Sequence, residues 1–409
     1  MTTAPVPPPL IELTARLARY PADRYPVQHA TARFHLGSAL TEVGRFDEAE
    51  RELAVAAELF GPERMPGEHA KALNARGAAL RAAGRSAEAI GCFVQAAAAF
   101  AALERPLEQG AAWFNLGLTR REVGEDPAEV FGRARELLDP QRVPAYAAAA
   151  ARELGAALFA AGRGAQASPI LVEAVALAER GGDLAGLGAA ANTLGLVHLA
   201  QDRAKEAVEI LRTAASAHPR TVRPQGHAMA KANLALAHEQ DGDPVRARLA
   251  ARQALGVPGV PEPVLTVAAG VLARLGAEPG GLLDVLDDEP TEQWPALLRE
   301  DLLRQADAWP EDRAADAEAF VAGVLDRPRT GAELVVTWLG GLLELPPAAM
   351  QALATEAVVA LGAQDADRVE RFRSWVARGC ARFHIPQMDR LTGLFEQIAA
   401  RAGGPTSWR

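Results

Sequence analysis

The sequence predicts an all-α fold, a solenoid of stacked helical hairpins. A small residue returns every 38 to 40 positions, at Gly37, Gly77, Gly117, Gly155, Gly195 and Ala235, each preceded by a leucine except in the second copy, where Arg76 stands. A fixed period in that range marks a stack of similar supersecondary units. A break then follows each small residue: Val43-Gly44-Arg45, Ala83-Gly84-Arg85, Val123-Gly124-Glu125, Ala161-Gly162-Arg163, Gln201-Asp202-Arg203 and Asp241-Gly242-Asp243. Glycine just past a helix takes the left-handed conformation that closes it, so each unit reads helix, tight turn, helix. The composition agrees, because 49% apolar residues with only 5% aromatics leaves mostly alanine and leucine, which are strong helix formers.

The elements follow in order. Leu10 to Arg19 forms a lead-in helix within an N-terminal segment, residues 1–26, that Tyr20-Pro21 and Tyr25-Pro26 bring to a stop. Six hairpins occupy 27–255. A second small residue lies twelve positions after the first in five of them, at Ala49, Ala89, Ala167, Ala207 and Ala247, and marks where paired helices touch. Gly256-Val257-Pro258-Gly259-Val260-Pro261-Glu262-Pro263 then breaks the pattern. A degenerate pair from Val264 to Leu286 and an acidic linker (Asp284, Asp287, Asp288, Glu289) fill the region to residue 290, and the acidic stretch runs on to Glu292. Residues 291–409 read as three more helical pairs, punctuated by Trp309-Pro310, Arg327-Pro328, Leu345-Pro346-Pro347, Gly362 and Ile385-Pro386. They either continue the solenoid or cap it. The run Leu334 to Leu343 is apolar on all sides and is expected to be a central buried helix, with a homo-oligomer surface as the alternative.

These residues resemble the tetratricopeptide repeats. Asn192-Thr193-Leu194-Gly195 through Ala207, Leu211, Ala214 and Pro219 is the fullest match, and Trp113-Phe114-Asn115-Leu116-Gly117 is another. The resemblance covers about residues 30 to 255 and implies a right-handed α-solenoid. Its period exceeds the usual ~34 residues and is similar to the long-repeat subgroup that includes kinesin light chains and spindle-orientation adaptors. Repeat three departs from the pattern, with Arg120 in place of an aromatic and Glu125-Asp126-Pro127 shortening the turn by one residue.

Charge and cysteines narrow the function classes. A net charge of −9 and a pI near 5.5 disfavour a nucleic-acid protein, which needs a concentrated basic face. No apolar run reaches membrane-spanning length and no signal peptide is evident, so a cytoplasmic chain is expected. Cys92 and Cys380 have no metal spacing, and neither a disulfide framework nor a metal site is expected; Cys92 should pack inside repeat two. Alanine-rich, arginine-over-lysine usage suggests a bacterial genome. There is no phosphate loop, no His-Glu-x-x-His and no nucleophile elbow, so an enzyme is not expected and no cofactor is assigned. Gly186-Leu187-Gly188-Ala189-Ala190-Ala191 matches a dinucleotide fingerprint only formally, since no strand precedes it.

The resemblance also implies a binding face. In the family the concave groove is lined from the first helix of each pair, which places Asn74 and Asn192 at one position and Asn115 and Asn233 at the next. An asparagine amide offers a donor and an acceptor, which suits a clamp on the main chain of an extended peptide. The same asparagines could equally bond a neighbouring helix and hold repeats in register. Around them the same count collects Phe114, Leu118, Phe159, Leu196, Leu199, Met229 and Leu236, with Arg81, Arg121 and Arg152 toward the N-terminal end. The expected partner is therefore a protein or peptide with apolar anchors and an acidic end, although Arg121 could instead pair with Glu125 at helix spacing. His198 and His238 share a repeat position and are expected to fill the place of an aromatic. The function expected is a non-enzymatic adaptor or scaffold. The alternatives are a ligand-responsive sensor of a small peptide or metabolite, a structural homo-oligomer, or an accessory protein of a biosynthetic pathway.

Overall fold

The structure, a computed structural model, describes residues 8–276, 281–401 and 408; the first seven residues of the N-terminal segment lie outside them. Its secondary structure is helical throughout the described residues, and it divides into two compact units, Met1–Val197 and His198–Arg409. The first unit holds α1 (Pro8–Arg19), α2 (Pro26–Glu42), α3 (Phe46–Phe60), α4 (Pro66–Ala82), α5 (Ser86–Ala102), α6 (Pro106–Glu122), α7 (Ala128–Leu137), α8 (Pro144–Ala160) and α9 (Gly164–Arg180), and the division falls within α10 (Leu184–Ala200).

Each pair packs as an antiparallel hairpin, α2 on α3, α4 on α5, α6 on α7 and α8 on α9. The first helix of a pair opens on proline at Pro26, Pro66, Pro106 and Pro144, where a fixed φ and a missing N–H cost nothing. Pro26, expected only to end the lead-in segment, thus begins the first hairpin. The turn glycine lies at positive φ, +79° at Gly44 and +77° at Gly84, and Asp202 takes the same conformation at 56° in the fifth copy. The periodic small residue sits where the helices of a pair meet. A Cβ on Gly37 would lie 2.5 Å from Leu53, on Gly77 2.7 Å from Phe93, and on Gly155 2.4 Å from Leu171, so glycine is needed for the contact.

Repeat three differs from the expectation of a turn one residue shorter. Its facing residue is Phe131, 2.5 Å from a Cβ on Gly117, which is two residues closer along the chain than in the other hairpins. The first turn of its second helix is replaced by Asp126-Pro127, with Asp126 accepting from the Ala128 N–H at 2.9 Å. That leaves α7 only ten residues long.

A histidine ties hairpins to what precedes them. The Nδ1 of His29 lies 2.7 Å from the Tyr20 carbonyl, that of His69 2.8 Å from Ala57, and that of His227 2.9 Å from His218. All three stand eight residues before the periodic small residue.

The second unit begins in the same style, with α11 (Ala204–Ala217), α12 (Pro224–Gln240), α13 (Pro244–Leu255) and α14 (Glu262–Leu275) joined by an alanine-rich core that includes Ala228, Ala232, Ala247 and Ala251. Then follow α15 (Leu282–Asp288), a 3-10 turn at Thr291–Gln293, α16 (Trp294–Asp307), α17 (Pro310–Leu325), α18 (Gly331–Leu343), α19 (Pro347–Gly362), α20 (Ala366–Cys380) and α21 (Ile385–Arg401). Here the packing rule changes. Helices meet chiefly their next-but-one neighbours: α16 and α20 lie on α18, while α17 and α21 lie on α19. The core is aromatic, with the Trp338 ring 5.5 Å from Phe320 and 6.1 Å from Phe395 between centroids. Leu334, Val335, Trp338, Leu339 and Leu342 are buried there, so the apolar run is a central helix of its own unit. Each such fully buried side chain contributes about 1.5–3 kcal/mol over an exposed one.

Candidate functional site

In the first unit the candidate residues lie along the row of first helices. Asn74 on α4 and Asn115 on α6 are half-buried and meet, the Asn115 amide donating to the Asn74 carbonyl oxygen at 3.2 Å. Phe114, Leu118 and Phe159 are also half-buried. Phe114 leans back on its own hairpin, 5.8 Å from Phe131 between ring centroids. Asn192 and Leu196 on α10 are half-buried, and Asn192 is bonded.

Arg81 and Arg121 are paired with acids on neighbouring first helices, and Arg152 with an acid of its own helix. Arg81 meets Glu122 at 2.9 Å. Arg121 bonds Glu153 on the next first helix rather than Glu125, which lies 3.5 Å from Arg120 instead. Arg152 reaches the other oxygen of Glu153 at 2.7 Å. Glu153, 7% exposed, is therefore a buried carboxylate held by two guanidinium groups, and burying it without them would be strongly unfavourable. It occupies the repeat position that holds asparagine in repeats three and six. Two cations on one anion leave that stretch with a single excess positive charge, less basic than the arginines alone suggested.

In the second unit Leu199, Met229 and Leu236 are half-buried and lie against the α12–α14 core. Asn233 is only 3% exposed and is bonded, so it does not present an open amide as Asn115 does. His198 and His238 are buried, as an aromatic replacement requires, and burial lowers the pKa of both. Cys92 is buried in repeat two.

One cluster of the second unit had no counterpart in the sequence reading. Glu300 on α16 accepts from Lys231 at 2.6 Å and lies 3.0 Å from Nε2 of His227, both on α12, and Lys231 also donates to Gln253 on α13 at 3.1 Å. Burial alone would push the Glu300 carboxyl up, yet Lys231 and His227 outweigh it and hold the pKa at about 2. The members span 69 and more residues of chain, and only the period-aligned His227 could have been picked from sequence. Among the described residues no group of three or more His, Cys, Asp or Glu is placed to hold a metal ion, and no helix is long and apolar enough to cross a membrane.

A family model for the tetratricopeptide repeat matches residues 146–220. No curated protein matches the chain. Among solved structures, a singly substituted form of nearly identical repeats from a Podosopora anserina protein described as a kinesin light chain is 17% identical, covers 52% of this chain and 98% of its own, and has a TM-score of 0.39. BtubC from P. vanneervenii is 14% identical, covers 66% of this chain and 93% of its own, and has a TM-score of 0.34.

Proposed function

We propose, on the premise that the chain belongs to the tetratricopeptide-repeat family, that it is a non-enzymatic interaction scaffold whose first unit receives an extended segment of another protein. The segment lies along α4, α6 and α8. The observation that carries this reading is the Asn74–Asn115 pair flanked by the half-buried apolar groups Phe114, Leu118 and Phe159. After giving one N–H to Asn74, Asn115 keeps its carbonyl oxygen and a second N–H, which is what a peptide main chain needs. Register-holding and clamping are then two uses of one pair. The apolar side chains supply anchors, and the shared Glu153 leaves the charge of one arginine for one acidic residue of the partner. This favours a ligand with apolar anchors and a single acid over an acidic tract.

Display of a random peptide library on the full chain tests this reading, with an Asn115→Ala, Phe159→Ala double variant as the counter-target. Enriched peptides should combine an apolar residue with an acidic one and bind the variant at least ~10-fold more weakly, as loss of a packed anchor and a main-chain hydrogen bond requires. Peptides that bind both forms equally would move the site off this face. The second reading, a ligand-responsive regulator, rests on a different place, a cleft of the second unit.

A further inference from the structure

We propose that this cleft binds a small amphipathic anion, an apolar body carrying one carboxylate or phosphate group. The cleft is open to solvent and offers about 870 Å³ between α11, α12 and α13 on one side and α15 and α16 on the other. Pockets for small organic ligands span roughly 300–1,000 Å³. Leu234, Leu249, Val285 and Leu297 give it an apolar wall.

Its polar end is built but incomplete. Arg220, 9% exposed, gives Nη2 to the Gly256 carbonyl at 2.6 Å and to Asp307 at 2.7 Å, while its buried Nη1 has no partner. Gln253, 2% exposed, accepts from Lys231 through Oε1, while its buried Nε2 also has no partner. Both orphans are donors on side chains that line the same cleft, so what is missing is an acceptor. A buried unpaired donor is costly, and each such group in a folded chain calls for a partner.

Charge favours an acid as that acceptor. Lys231 sits beside the pair with Glu300 between it and His227, whose two ring nitrogens face the His218 carbonyl and the Glu300 carboxylate. Around the cleft as a whole, Arg212, Arg220, Lys231, Arg246 and Arg299 outnumber Glu289, Glu292, Glu300 and Glu344 by one. Toward the rim the charges are matched, Arg246 with Glu289 and Arg299 with Glu344, and Glu292 is exposed. The acid group lies at Arg220, Lys231 and Gln253, and the apolar body runs along Leu249 and Leu297.

Calorimetric titration of the full chain tests the site with octanoate and octyl phosphate as probes, and with octylamine and octanol as controls. At least one acid probe should bind saturably at one site per chain, and the controls at least ~10-fold more weakly; which acid binds distinguishes carboxylate from phosphate ligands. Arg220→Gln should lose about 10-fold in affinity, the worth of a charge-assisted hydrogen bond. Ala296→Trp, at an exposed cleft position, should abolish binding by filling the cavity. Circular dichroism checks that both variants stay helical. Octanol binding as well as the acids, undiminished acid binding in either helical variant, or no saturable binding of either acid would overturn the proposal. Neither substitution touches the face of α4, α6 and α8, so failure here leaves the peptide reading to its own test.

Discussion

His238 lies 5% exposed in the second unit, where burial, opposed by Asp243 and aided by Arg212 and Arg246, lowers its pKa from 6.5 to about 4. The unfolded chain therefore binds a proton between pH 6.5 and 4 that the folded chain refuses. The stabilisation is complete above pH 6.5 and is lost as pH falls toward 4, by up to about 3 kcal/mol for a shift of that size. Glu300 adds a lower window. Its folded pKa of about 2 lies below the ordinary 4.5, so its contribution is present above pH 4.5 and disappears as pH falls toward 2. Urea midpoints measured across pH should fall from 6.5 to 4, and His238→Leu should flatten that part of the curve. Burial also lowers the pKa of His198 and His218, so a residual slope is expected. An unchanged slope in the variant would mean His238 is not the group that titrates. Packing at single residues is as testable. Gly155 has Leu171 only 2.4 Å from where a Cβ would stand, so Gly155→Val should overpack the hairpin and cost about 1–3 kcal/mol, read as a lower melting temperature.

At the level of helices, α9 carries Pro169 beyond its first turn, exposed and without a core to fill. Proline there removes a main-chain hydrogen bond and crowds the carbonyl four residues earlier. Pro169→Ala should raise stability by about 1–3 kcal/mol, seen as a higher urea midpoint with the slope unchanged. Hairpins were legible in the sequence because their causes are local: a turn needing positive φ selects Gly44 or Gly84, and a close approach selects Gly37 or Gly77. The opening prolines carry the same kind of signal at nearly the same period. Side-chain partners were not legible. Arg121 could be matched by eye to Glu125 one turn away, but its partner Glu153 lies on the next first helix, 32 residues on. The same reason hid the cluster around Glu300, whose members come from α12, α13 and α16 with no repeat relating α16 to the others. Asn115 was found because it sits in the repeat frame. Asn233, in the same frame, is covered instead, since the frame fixes a position on the helix and not what later packs over it.

For the whole molecule, the two units differ in what holds them, and that difference can be read by two probes. The first is layered from hairpins whose contacts are mostly with sequence neighbours, which makes its stability a sum of local terms. The C-terminal part of the second closes around one aromatic cluster centred on Trp338, so removing that ring should disturb many helices together. Of the six tryptophans, only Trp113 belongs to the first unit, whereas Trp294, Trp309, Trp338, Trp375 and Trp408 belong to the second. Tryptophan fluorescence thus follows mainly the second unit, while far-ultraviolet circular dichroism follows helices in both. Trp338→Ala creates a large cavity and should cost about 3–5 kcal/mol where it acts. If the units unfold as separate cooperative blocks, the fluorescence midpoint moves to lower urea. The dichroism curve then splits, one part moving with the fluorescence and the rest keeping the wild-type midpoint. A single dichroism transition that shifts as far as the fluorescence would mean that the hairpins and the aromatic core unfold as one block, and the division into two units would then describe packing alone.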